Sequence, residues 1–266
     1  MCNINDIHGS RRSPVWIAAL LGLVVLTPSC KSGGQAASRQ GPSLPLERIA
    51  IVGASVSAGF GGTPFGEAFS AAARGSKVDT AANVMLFRDP IGDTQRQLDQ
   101  AVAFKATTIV ALDLLFWDVY GSRDAAWHEE ALTTALDRLE QVRAAGAWIV
   151  IGDVPLITTA SEMLLPKEAV PQPVVLDAAN EKIRAWAGRD RVIIVPLGEW
   201  TAPLRAGGDI TLPGGETKPA AELMSIDGLH ANALGTWYLL DKLDHYIEEK
   251  LPGTPKDALV FVRPAL

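Results

Sequence analysis

Apolar positions along this chain switch between two spacings. The runs Arg48–Ala54, Thr107–Leu112, Ala147–Ile151 and Arg191–Val195 are short, nearly continuous in apolar residues and rich in Ile and Val, the pattern of strands buried on both faces of a sheet. Between them, apolar residues fall three and four apart. Phe65–Arg74, Ala-rich and closed by Gly75, predicts a helix. So does Thr94–Lys105, where Leu98, Ala101 and Val102 share a face and Asp93 or Thr94 serves as N-cap. The longest such segment is Ala125–Ala145, ending at Gly146, in which Leu132, Ala135, Leu136, Leu139 and Val142 keep a 3.6-residue period. Asp177–Ala187 and Ala233–Lys250 complete the helices, and Asn83–Phe87 reads as one more short strand.

Buried strands alternating with amphipathic helices predict an α/β protein: a three-layer α/β/α sandwich around a central, mostly parallel five-stranded sheet. In such sheets ligands bind beyond the carboxyl ends of the strands. Two connections are long. Val154–Val174 carries four prolines, and Gly198–Ser225 carries Gly207-Gly208 and Pro213-Gly214-Gly215. Both read either as lids or substrate walls or as plain solvated excursions.

The first 29 residues do not belong to this fold. Arg11 and Arg12 precede an apolar run, Val15–Leu26, and then Thr27-Pro28-Ser29-Cys30, the layout of a secretory signal. The run falls short of the ~20 apolar residues that span a bilayer. Leu26–Cys30 also resembles a bacterial lipobox, with Cys30 as the lipidated first residue; ordinary cleavage nearby, leaving Cys30 a free thiol, is the alternative. Residues 30–46, rich in Gly, Ser, Gln and Pro, read as a flexible tether, and 47–266 as the folded domain. The expectation is an exported protein, either membrane-anchored through Cys30 or periplasmic or extracellular.

Composition narrows the partners. With 48% hydrophobic residues and a net charge of -6, the chain has a globular core and no basic stripe to bind nucleic acid. The four histidines are scattered and there is no Cys-x-x-Cys, so no metal site is expected.

The chemistry lies at two points far apart in sequence. Ser55 closes the first strand-like run, and Asp227-Gly228-Leu229-His230 precedes the last helix. A serine hydroxyl needs an imidazole to take its proton. The imidazole needs a carboxylate to fix its tautomer and to stabilise the imidazolium that forms.

Gly53-Ala54-Ser55-Val56-Ser57-Ala58-Gly59 and Asp227-Gly228-Leu229-His230-Ala231-Asn232 resemble the first and last blocks of the SGNH/GDSL hydrolases, Gly-Asp-Ser-x-x-x-Gly and Asp-x-x-His. The resemblance covers about residues 47–250. It implies a flavodoxin-like three-layer fold, ester hydrolysis through an acyl-enzyme and no cofactor, with Ser55 as nucleophile, His230 as base and Asp227 as its orienter. It also implies an oxyanion hole made by the backbone N–H groups of Ser55 and of Gly92, the latter within Asp89-Pro90-Ile91-Gly92-Asp93-Thr94. The family's third block, Gly-x-Asn-Asp, has no counterpart: Ala111–Asp118 holds neither Asn nor Gly. Loss of one oxyanion donor costs ~2.7–4 kcal/mol. The indole N–H of Trp117 is a substitute donor, unless Trp117 and Phe116 simply form an apolar wall. Phe60, Phe116 and Trp117 together suggest a pocket for an apolar acyl group or a stacked sugar. The substrates implied are lipid, acyl or acetyl-sugar esters. Alternatives are acyl transfer to a sugar, and, because the Asn is missing, a surface-anchored ligand- or carbohydrate-binding protein on a degenerate scaffold.

Overall fold

In the computed structural model, which describes residues 44–265, β1 (Arg48–Ile51), β2 (Lys77–Thr80), β3 (Thr108–Ala111), β4 (Trp148–Gly152) and β5 (Val192–Val195) form one sheet. The predicted signal, the lipobox with Cys30 and the tether up to residue 43 lie outside the described residues. The strand order is β2-β1-β3-β4-β5 and every pairing is parallel, the doubly wound order of flavodoxin-like sheets.

Why the strands lack a polar face is evident from their packing. Successive side chains point to opposite sides, and both sides are covered. Ala50, Ile109 and Ile149 pack towards α2 (Pro90–Phe104), α4 (Ala125–Ala144) and α5 (Pro173–Ala187), through Leu98, Leu139 and Ile183. Ile49, Val110 and Val150 pack towards α1 (Phe65–Ala72), α6 (Leu197–Ala206) and α7 (Ala233–Lys250), through Phe69, Leu204 and Leu243. The three-layer α/β/α sandwich is the observed architecture.

Three local expectations need correction. The second strand is Lys77–Thr80, not Asn83–Phe87. It is an edge strand whose two end residues are exposed, so it carries little apolar signal. Asn83 instead turns the chain: its side-chain oxygen accepts from the Met85 N–H at 2.9 Å, a local bond that competes with strand formation. A 3₁₀ turn, Leu86–Arg88, follows. Next, α2 begins at Pro90, four residues before the predicted start, capped by Asp89; proline at the first helical position suits a site where the N–H has no partner anyway. Finally, Gly198–Ser225 is largely structured. It holds most of α6 and an antiparallel hairpin of β6 (Asp209–Thr211) and β7 (Thr217–Pro219). Pro203 inside α6 hides that helix, because proline normally argues against helix interior.

The other long connection is pinned where it leaves the sheet. The Asn180 side chain pairs with both the N–H and the carbonyl of Val154, at 2.8 and 2.9 Å. Tyr120 donates its hydroxyl to the Pro155 carbonyl and accepts from the Ile157 N–H, both at 2.8 Å. These bonds hold residues 154–157, the start of the connection, against the body of the fold.

A short helix, α3 (Phe116–Val119), buries a carboxyl at a stability cost. Asp118 is 1% exposed, and neither carboxylate oxygen has a hydrogen-bond partner among the described residues. Burial pushes its pKa up to about 7. In the unfolded chain it ionises near 3.8, so the native state binds the extra proton and stability falls as pH rises from about 4 to 7. Asp118→Asn is therefore expected to gain about 2–4 kcal/mol relative to wild type between pH 4.5 and 8.5. Denaturation at the two pH values measures this; an identical difference at both would show that Asp118 is not a buried ionisable group.

Candidate active site

β1 runs out at Ile51 and the chain continues through Val52 and Gly53 to Ser55. This is the switch point of the sheet, where neighbours on either side of β1 lead in opposite directions. Gly53 has φ +149°, and a Cβ there would collide with the Asp113 carboxylate, so only glycine lets the turn close against that side chain. Gln97 of α2 clamps the same residue, accepting from its N–H at 2.6 Å and donating to its carbonyl at 3.0 Å.

Asp113, just past β3, organises the turn. One carboxylate oxygen accepts from the Ala54 N–H at 3.1 Å and the Ser57 hydroxyl at 2.5 Å. The other accepts from the N–H groups of Val56 at 2.9 Å and Ser57 at 3.2 Å. Burial pushes the Asp113 pKa up, and these four donors oppose that rise without cancelling it. The Ser55 N–H, in the midst of this set, has no acceptor among the described residues. It remains free for an incoming oxygen.

Asp227 and His230 arrive on the loop before α7. Asn232 caps that helix, accepting from Leu234 and Gly235 N–H groups at 3.0 and 3.1 Å. A bridge between Met224 and Ala231 closes the loop, and the Ser161 N–H and Thr159 hydroxyl bind the carbonyls of Asp227 and Gly228 at 2.8 and 2.7 Å. One Asp227 oxygen accepts from the N–H groups of Leu229 and His230, both at 2.9 Å. The other lies 2.8 Å from His230 Nδ1, and His230 Nε2 lies 2.9 Å from Ser55 Oγ. Partial burial pushes the Asp227 pKa up, but the hydrogen bonds from His230 and Leu229 outweigh it and hold the group below its ordinary value. An ionised Asp227 only accepts, so Nδ1 carries the proton and Nε2 is left to accept from the serine hydroxyl. The arrangement can transfer a proton from Ser55 to His230 while Asp227 balances the charge.

Ser55 and His230 open onto a cavity of about 100 Å³ with apolar walls, among them Leu115, Phe116, Leu197, Trp200 and Leu229. Of the aromatic residues singled out in the sequence, Phe116 lines it. Phe60 packs on the His230 ring at 4.8 Å, tilted by 55°, with 47% of its surface exposed. Trp117 is not part of the cavity wall. Its ring lies between Phe87 and Phe116, and its Nε1 is buried without an acceptor. Gly92 does not reach the cavity either; its N–H donates to Asp89 at 3.1 Å as part of the α2 cap.

Sequence reasoning missed two contributors. Asp113 lies in the stretch Ala111–Asp118 that lacks the family's Asn, and nothing in the linear chain shows that its acceptors face the Ser55 turn. The α6 wall was hidden by Pro203. Among the described residues, no three His, Cys, Asp or Glu side chains gather into a metal-holding group.

No protein-family model matches the chain, and no curated protein matches it significantly. Solved structures do. A candidate acylhydrolase from Bacteroides fragilis superposes with a TM-score of 0.50 at 12% identity, over 79% of this chain and 91% of that one. A candidate platelet activating factor from Streptococcus pneumonia gives 0.50 at 16% identity, over 80% and 86%. A GDSL-like lipase from Bacteroides thetaiotaomicron gives 0.49 at 12%, over 79% and 93%. At such identities the likeness is one of architecture: this chain shares the three-layer fold of the first two structures.

Proposed function

We propose that this chain is an exported serine hydrolase that cleaves carboxylic esters of short acyl groups. The observation that carries the reading is the continuous relay from Asp227 through His230 to Ser55, ending at a small apolar cavity. His230 takes the proton of Ser55 as Oγ attacks the ester carbonyl, then gives it to the leaving alcohol. Water, deprotonated by the same imidazole, releases the acid from the acyl-enzyme. The free Ser55 N–H receives the oxyanion. Gly92, whose N–H caps α2 through Asp89 away from the cavity, supplies no second donor in this arrangement.

Cavity size supports short acyl groups. About 100 Å³ is smaller than the ~150 Å³ hole that admits benzene. The test is a series of p-nitrophenyl esters together with a fluorophosphonate probe. Hydrolysis should be fastest for acyl chains of about two to four carbons, and the probe should label the Ser55 peptide. A folded protein that neither turns over these esters nor takes the label would instead be a binding protein on this scaffold.

Export and a lipid on Cys30 belong to the same reading and rest on the N-terminal pattern. Cys30→Ser should move the protein from the membrane fraction to the soluble one; a variant that stays with the membrane would rule out that anchor.

A further inference from the structure

One residue of the cavity has no place in the hydrolysis of a plain acyl ester. Arg205, near the end of α6, lines the same cavity as Ser55 and His230. Its Nη1 donates to the Thr201 hydroxyl at 2.7 Å, while its Nε is buried and has no partner among the described residues. Among the described residues no carboxylate lies within ion-pair distance of it. The two acids that also line the cavity are committed elsewhere. Asp153 accepts from the Gly198 N–H at 2.8 Å and pairs with Arg184 at 3.3 Å, and Asp113 holds the Ser55 turn. The nearby Tyr120 hydroxyl is occupied by Pro155 and Ile157. Burial lowers the guanidinium pKa to about 10, so it stays charged at neutral pH.

A partly buried cation without a counter-ion is costly, and a wall needing only to be apolar would be served by Leu or Met. Such a guanidinium matches a carboxylate, which it can bind through two parallel hydrogen bonds.

We propose that Arg205 selects an acyl group ending in a carboxylate, so that the preferred substrates are monoesters of a short dicarboxylic acid. This rests on the esterase reading above. The free carboxylate pairs with Arg205 while the ester carbonyl meets Ser55. Chemically the reaction is unchanged: the Ser55–acyl bond forms, the alcohol leaves with the proton that His230 took, and water returns the free diacid.

The test compares monoethyl succinate with ethyl butyrate, which presents a four-carbon acyl group with a methyl in place of the carboxylate. Wild type should favour the succinate by about tenfold or more in kcat/KM. Arg205→Met should lower succinate hydrolysis by about 100-fold and raise butyrate hydrolysis. Arg205→Lys, which keeps the charge but loses the fork, should fall between. Wild-type preference for butyrate, or an equal fall of both activities in Arg205→Met, would overturn the assignment. Calorimetric binding of monoethyl succinate to Ser55→Ala, with and without Arg205→Met, separates this idea from the esterase reading. Binding that depends on Arg205, without wild-type hydrolysis of either ester, keeps the anion site and removes the esterase. Butyrate hydrolysis without Arg205-dependent binding does the reverse.

Discussion

Ser55→Ala is expected to lower kcat/KM for ester hydrolysis by about 10⁴- to 10⁶-fold while leaving the melting temperature within a degree or two of wild type. The activity falls because the hydroxyl that His230 Nε2 meets at 2.9 Å is removed. The fold is spared because, among the described residues, the Ser55 hydroxyl makes no hydrogen bond but the one to His230; Asp113 holds the flanking residues. His230→Ala should cost a similar factor. Groups that act as one unit are not additive, so the Ser55→Ala/His230→Ala double variant should be no slower than either single variant. Steady-state kinetics on a short-chain ester measures all three. A double variant slower by the product of the single effects would mean that the two residues act independently, and the relay would have to be abandoned.

Asp113→Ala should be the most damaging substitution for the structure of the site. It strips acceptors from three N–H groups and one hydroxyl at once. Each buried donor left unpaired costs ~1–3 kcal/mol, and water entering the gap recovers part of this. A net loss of about 3–5 kcal/mol follows, or roughly 10 °C in a domain of this size. The turn would then no longer aim the Ser55 N–H, so kcat should fall with the stability. Asp113→Asn keeps one acceptor but turns an NH2 group towards other donors, and should lie between. Chemical denaturation and kcat on the same samples provide the measurement. Full stability in Asp113→Ala would show that solvent can satisfy the turn, and that the cradle is incidental.

The parts of this protein that were legible in the chain are those governed by local period. β1, α4 and α7 come from apolar runs or 3.6-residue spacing that tertiary packing merely completes, and the Asp227–His230 spacing places both groups on one loop. β2 was misread because an edge strand with exposed ends has no such period, while Asn83–Phe87 has apolar residues for a different reason: Leu86 is buried under a turn. The role of Asp113 was not legible at all, since it depends on a partner 56 to 59 positions away. For Arg205 the obstacle was twofold. A proline hid its helix, and an arginine in a presumed loop reads as surface charge, whereas its burial is visible only once α6 packs onto the sheet.

The α6 segment carries a further consequence for how this protein can change. The groups of the relay sit at the end of β1 and before α7, and the turn is braced from α2 and β3. Part of the cavity wall comes from one contiguous stretch, Leu197–Arg205, that supplies none of those groups. Substitution or exchange of that stretch can therefore alter what is recognised without disturbing what reacts. Recognition can thus drift along this one segment of the wall while Ser55, His230 and Asp227 keep their positions.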